Sequence, residues 1–131
     1  MPLEIGWLSC YSSPGPLRNG GVKPDIVSPG EWFASANAQD NGKSAGTWAT
    51  PDSTGFYREM NGTSAATPYT SGVVALMFQK KPTLTLGDIK ALLRGKASKI
   101  GLNPFSQAVP NNNWGYGKLD GPALDRIFTS F

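Results

Sequence analysis

The stretch from Thr63 to Phe78 constrains the fold more than any other part of the chain. Thr63-Ser64-Ala65-Ala66-Thr67 supplies cap-type and small residues, Pro68 fits only a first helical turn, and Gly72 to Phe78 is apolar on every face. A helix that is apolar all round is a buried helix, so this segment predicts one that needs cover on all sides. Gly72 in its interior costs about 1 kcal/mol against alanine, which points to another element packed closely on it. Lys80-Lys81 follows, where two positive charges complement the negative end of the helix.

The remainder must supply that cover within 131 residues, the size of one ordinary domain. Glycine (16) and proline (11) together fill about a fifth of the positions, well above average usage, so turns and shaped loops are frequent and long uninterrupted helices are excluded. The hydrophobic fraction of 39%, with glycine added as such averages are counted, is ordinary for a globular protein and excludes disorder as the main state. Residues 1 to 60 read as short extended segments cut by turns. Ile5 to Tyr11 and Asp25-Ile26-Val27 are strand candidates, the second ended by Pro29-Gly30, and Asn37 to Thr54 reads as a long surface loop. Two more helices follow. One opens at Thr85 with Asp88 three residues on, carries Leu86, Ile89 and Leu93 at helical spacing, and stops before Gly95. The other opens at Asp120 or Gly121 with Pro122 near its first position and a stripe of Leu124, Ile127, Phe128 and Phe131. Trp114 and Tyr116, around a glycine turn, read as core anchors. The sequence has no internal repeat and no domain boundary.

Several function classes are excluded by what is absent. With no histidine, the chain contains no Ser-His or Cys-His pair of its own and no imidazole metal ligand. Cys10 is the single cysteine, so neither an intrachain disulfide nor a cysteine-rich zinc site is available. Asp25, Asp40, Asp52, Asp88, Asp120 and Asp125 are dispersed, without calcium-loop spacing, and read as caps and solvated loop carboxylates; no metal site is expected from them. The net charge of +3 is modest and scattered, so nucleic acid is not an expected partner. The longest apolar run, Val73 to Phe78, falls far short of the eighteen or so residues of a membrane span, and Met1 to Gly6 has no signal-peptide pattern.

The candidate chemistry lies at Asn61-Gly62-Thr63-Ser64. A serine at a helix N-terminus sits where free backbone N–H groups and the positive dipole end converge, which suits an oxyanion developing beside its hydroxyl. The plain alternative is that Thr63 or Ser64 is an N-cap. Gly62-Thr63-Ser64-Ala65-Ala66 narrowly misses the G-x-S-x-G elbow of α/β-hydrolases, where the histidine follows the serine; none follows here. In the order Asp, His, Ser both partners precede the nucleophile, and a chain lacking its upstream part shows this pattern. A Ser-Lys dyad has no support either: no lysine is near Ser64 in sequence, and Lys43 falls in the long loop. Asn61-Gly62-Thr63 is formally a glycosylation sequon, but a glycan there would block such a cleft.

Asn61-Gly62-Thr63-Ser64-Ala65-Ala66-Thr67-Pro68 resembles the serine signature of the subtilisin-like serine proteases, G-T-S-x-A-[ST]-P-H followed by a small-residue, apolar helix. Tyr11-Ser12-Ser13-Pro14-Gly15-Pro16 resembles that family's F-S-S-x-G-P, and Lys23-Pro24-Asp25-Ile26-Val27-Ser28-Pro29-Gly30 resembles its K-P-D-I-x-A-P-G. Trp114-Gly115-Tyr116-Gly117-Lys118-Leu119-Asp120 resembles the G-Y-G-x-[LIV]-[DN] that precedes a terminal helix. The four motifs stand in family order. The resemblance implies an α/β fold, with residues 1–131 as the C-terminal portion of one catalytic domain built on a parallel sheet flanked by helices, and a buried helix after the nucleophile.

By the same resemblance Ser64 is the nucleophile, its N–H and the Thr63 hydroxyl support the oxyanion, and Asn61 and Gly62 line the substrate cleft. The catalytic Asp and His belong to upstream segments absent from this sequence. Peptide or protein substrates, the N-terminal part of the same domain as a partner, no cofactor in the chemistry and secretion of the whole protein are implied as well. A structural calcium ion is compatible with the family but has no assigned position. Tyr69 stands where the family has histidine, and Thr70-Ser71 replace the common Val-Ala, placing two hydroxyls on the helix that each need a backbone acceptor. A second class fits the same residues: a non-catalytic remnant that binds peptides or proteins.

Overall fold

The computed structural model describes residues 6–37, 54, 56–99, 101–103 and 108–131. Its elements in chain order are β1 (Phe33–Ala36), β2 (Tyr57–Met60), α1 (Thr63–Lys80), α2 (Leu86–Lys96) and α3 (Gly121–Phe128). Nearly all of the Asn37 to Thr54 loop, with Asp40, Lys43 and Asp52, lies outside the described residues.

Both surface helices form where their caps predict. The Thr85 hydroxyl accepts the Asp88 N–H at 3.2 Å while the Asp88 carboxylate accepts the Thr85 N–H at 2.9 Å, a reciprocal cap that fixes the start of α2. Its end differs from expectation, since α2 runs through Gly95 to Lys96. Leu86, assigned to the apolar stripe, is instead 68% exposed; Ile89 and Leu93 alone are fully buried. The Asp120 carboxylate accepts the Ala123 N–H at 3.1 Å and opens α3, with Pro122 in its first turn where a missing N–H costs nothing. One core joins the three helices through Val73, Met77, Leu84, Ile89, Leu93, Leu119, Ala123 and Ile127.

The expected parallel sheet is not what the described residues form. They contain helices and one two-stranded antiparallel sheet, in which Phe33 pairs with Met60 and Ala36 with Tyr57. In the two strand candidates Trp7 bridges in parallel to Asn103 and Val27 to Lys118, and Ile5 of the first lies outside the described residues.

Helix α1 also departs from expectation. It is buried only at Ala65, Val73 and Met77; Leu76 is 52% exposed and Phe78 40%. Gly72 is exposed and would have nothing within 4 Å of an added Cβ. The sequence asks for cover all round, and the described chain covers one side. Pro68 is not in the first turn but inside the helix, where it removes the N–H that would meet the Ser64 carbonyl.

The second and fourth motifs are joined backbone to backbone. Tyr116 N–H donates to the Asp25 carbonyl at 2.9 Å, Val27 N–H to Gly117 at 3.0 Å and Leu119 N–H to Val27 at 2.8 Å. Gly115, at φ +57°, brings its backbone so near the Pro24 and Asp25 carbonyl oxygens that a Cβ would collide with both. Trp114 is 2% exposed, as expected of an anchor, while half-buried Tyr116 stacks beneath the Arg94 guanidinium at 4.9 Å. Arg94 also reaches across 69 residues to the Asp25 carboxylate, with Nε at 2.8 Å, and Lys23 pairs with the same group. Asp25 is thus a clamp between α2 and the 23–30 segment rather than a solvated loop carboxylate.

Burial alone would raise the Asp25 carboxyl, but the hydrogen bonds and charges of Lys23 and Arg94 outweigh it and hold the group below its ordinary value of 3.8. A depressed folded-state pKa contributes stability that is present above the ordinary value and is lost as pH falls through the lowered one. Asp25→Asn is therefore expected to flatten the decline of the urea midpoint below about pH 4 relative to the native chain. Gly115→Ala is expected to remove at least about 2 kcal/mol of stability by denaturant titration, because both the positive φ and the carbonyl contacts oppose a side chain.

Candidate active site

The segment that carries Ser64 is held at the open end of the hairpin. Strand β2 leads through Asn61 and Gly62 directly into α1, while the 28–30 segment leads through Glu31 and Trp32 into β1. Two further bonds join the chain beyond the strands. Gly62 N–H donates to the Gly30 carbonyl at 2.6 Å, and Trp32 N–H donates to the Asn61 Oδ1 at 2.5 Å. The Tyr11 hydroxyl donates to the same Gly30 carbonyl at 3.4 Å, so the first motif reaches this junction as well. A Cβ on Gly30 would lie 2.9 Å from the Gly62 oxygen and 3.2 Å from Ala66 Cβ, a contact that requires glycine.

Gly62 is the N-cap of α1, with φ 112° and ψ 173°, a backbone conformation that only glycine adopts readily. No side chain caps the helix, so the N-cap alternative for Thr63 or Ser64 does not hold. Those residues are the first and second of the helix instead. The Gly62 carbonyl accepts Ala65 N–H at 2.9 Å and Ala66 N–H at 3.3 Å. The N–H groups of Thr63 and Ser64 have no acceptor among the described residues. Both side chains are exposed, and the Ser64 hydroxyl makes no hydrogen bond among the described residues. No acidic residue occupies the first turn of α1 to offset its positive end.

The four predicted site residues therefore come together in one turn: exposed Asn61 and half-buried Gly62 on the approach, Thr63 and Ser64 at the helix start. What the turn offers is a solvent-facing hydroxyl with free N–H donors beside it. No histidine exists in the chain to take the proton of Ser64. Among the described residues there is also no group of three or more His, Cys, Asp or Glu side chains that could hold a metal ion, and no helix long and apolar enough to cross a membrane.

The departures from the family pattern are accommodated. Tyr69 packs edge-on against Phe33 of β1 with ring centroids 5.8 Å apart, fixing the hairpin to α1. The Thr70 hydroxyl, half-buried, donates to the Ala66 carbonyl at 3.1 Å and the exposed Ser71 hydroxyl to the Thr67 carbonyl at 3.1 Å, so each finds a backbone acceptor. Sequence reasoning did not reach the Asp25–Arg94 clamp or a contact between Ser28 and Thr70 at 2.6 Å, because partners 69 and 42 residues apart leave no local spacing signal.

Comparison with known proteins places the chain in a family. Residues 6–118 match the family model described as the subtilase family, peptidase S8. The chain is 34% identical over 97 residues to serine protease AprX of Bacillus subtilis, covering 70% of this chain and 21% of that protein. It is 31% identical over 108 residues to the minor extracellular protease Vpr of the same organism, covering 82% of this chain and 12% of that one. The solved structure of the Clostridium perfringens CspB protease superposes with a TM-score of 0.65 at 31% identity, over 92% of this chain and 23% of the other. The chain thus spans about a fifth or less of the length of these two relatives. With a match over most of its own length and four motifs of which three converge on one serine turn, this chain belongs to the subtilase family.

Proposed function

We propose that the chain is the nucleophile-bearing C-terminal portion of a subtilisin-like serine endopeptidase, in which Ser64 attacks a peptide carbonyl and passes the acyl group to water. The observation that carries this reading is the exposed Ser64 hydroxyl at the second position of α1, beside two N–H groups with no acceptor among the described residues. In that role the Ser64 N–H, assisted by the Thr63 hydroxyl, takes up charge on the carbonyl oxygen, and Asn61 and Gly62 form the adjoining cleft wall for a peptide or protein substrate. The chemistry requires no cofactor.

A general base and its orienting carboxylate come, in this reading, from a separate N-terminal segment of the same domain. That segment also accounts for the uncovered flanks of α1. A groove of about 390 Å³ runs past Pro68, Gly72 and Leu76 on one flank, and one of about 430 Å³ past Thr70, Val74 and Phe78 on the other. Both are apolar surfaces that a helix apolar on every side is built to bury. Without that segment the chain is nearly inert, since loss of the histidine from such a triad costs on the order of a millionfold in turnover, and the exposed flanks favour association.

Fluorophosphonate labelling tests the assignment. The chain alone is expected to remain unlabelled, to become labelled on mixing with an N-terminal subtilase segment that supplies Asp and His, and to lose the label in Ser64→Ala. A folded complex that remains unlabelled would contradict the nucleophile assignment.

A further inference from the structure

We propose that Ser28 and Thr70 form a positioning pair that sets the Gly62 turn, and with it Ser64; the catalytic half of this statement rests on the nucleophile reading above. Ser28 Oγ and Thr70 Oγ1 lie 2.6 Å apart in a half-buried site. Either atom has the geometry to donate, but proton counting decides. The single hydroxyl proton of Thr70 goes to the Ala66 carbonyl at 3.1 Å, so Ser28 is the donor to Thr70. The result is a directed relay, Ser28 to Thr70 to the Ala66 carbonyl.

The relay closes a ring around the serine turn. Gly62, Ala66 and Thr70 are four residues apart and stack along one face of α1. Ala66 N–H meets the Gly62 carbonyl at 3.3 Å, Gly62 N–H meets the Gly30 carbonyl at 2.6 Å, and Gly30 sits directly on Ala66. Two residues before Gly30, Ser28 ties the same segment to the same face through Thr70, with the stiff Pro29 between the two attachments. The 28–30 segment is thus held to α1 at two points one helical turn or more apart, which fixes its tilt as well as its distance.

Both members of the pair are polar where the family patterns are apolar. Position 28 takes the alanine of K-P-D-I-x-A-P-G, and position 70 takes the valine that commonly follows the serine signature. Either hydroxyl introduced alone would lack its cross-segment partner; introduced together they satisfy each other.

The test uses Ser28→Ala, Thr70→Val, the double variant and Thr70→Ser in the full 131-residue chain, with and without the N-terminal segment. Two quantities are read: hydrogen exchange of the Gly62 amide, and the rate of Ser64 phosphonylation per folded molecule. Each single apolar change is expected to speed Gly62 exchange about tenfold and to slow labelling by a similar factor. The double variant is expected to recover most of both, because two apolar groups replace two hydroxyls, and Thr70→Ser is expected to behave as the native chain. An unprotected Gly62 amide in the native chain, unchanged exchange in both singles, or effects that simply add in the double variant would overturn the pair. Coupled exchange in a complex that never labels would uphold the tie to Gly62 and reject the nucleophile reading instead.

Discussion

The hydrogen bond from Gly62 N–H to the Gly30 carbonyl is the contact on which the site depends. It ties the turn after β2 to the segment before β1 and delivers the chain into α1 at a point where only glycine fits on either side. The exposure of Ser64 at the start of α1 follows from that delivery. The positive φ of Gly62 turns the backbone so that the helix begins without a side-chain cap, and its first two N–H groups remain available. A serine or aspartate at position 62 would cap the helix and occupy a donor that an oxyanion needs.

The rest of the described chain works outward from that junction. The Asp25 clamp holds the 23–30 segment to α2 and to the glycine-rich turn at 115–117, and α2 and α3 enclose the core beneath α1. The half of the molecule near α2 and α3 is closed by its own residues. The flanks of α1 that carry Gly72, Leu76 and Phe78 are not, although their sequence is that of an interior. The support of the serine turn is thus internal to the described residues, while the flanks of its helix are left uncovered by them.

What could be read from sequence divides along the range of the interactions. Thr85, Asp88, Asp120 and Pro122 announce their helices because capping acts within three or four residues. Ser64 was legible because its neighbours carry a signature in seven consecutive positions. Strands β1 and β2 were not, since Phe33-Ala34-Ser35-Ala36 and Tyr57-Arg58-Glu59-Met60 are short and gain strand character only from each other. The parallel sheet implied by the resemblance is not seen among the described residues, where Trp7 bridges in parallel to Asn103 and Val27 to Lys118. Asp25, Arg94, Ser28 and Thr70 meet only through the fold, and no spacing in the sequence announces them.

Gly30→Ala gives the most direct test of this account, because it wedges the junction without altering any residue of the serine turn. Phosphonylation of Ser64 is measured in the complex with an N-terminal segment, at concentrations where complex formation is complete. The predicted result is a labelling rate reduced at least about tenfold with the complex still assembled, as expected when a nucleophile is displaced by a fraction of an ångström. Labelling at the native rate would contradict the claim that the Gly30–Gly62 contact positions Ser64.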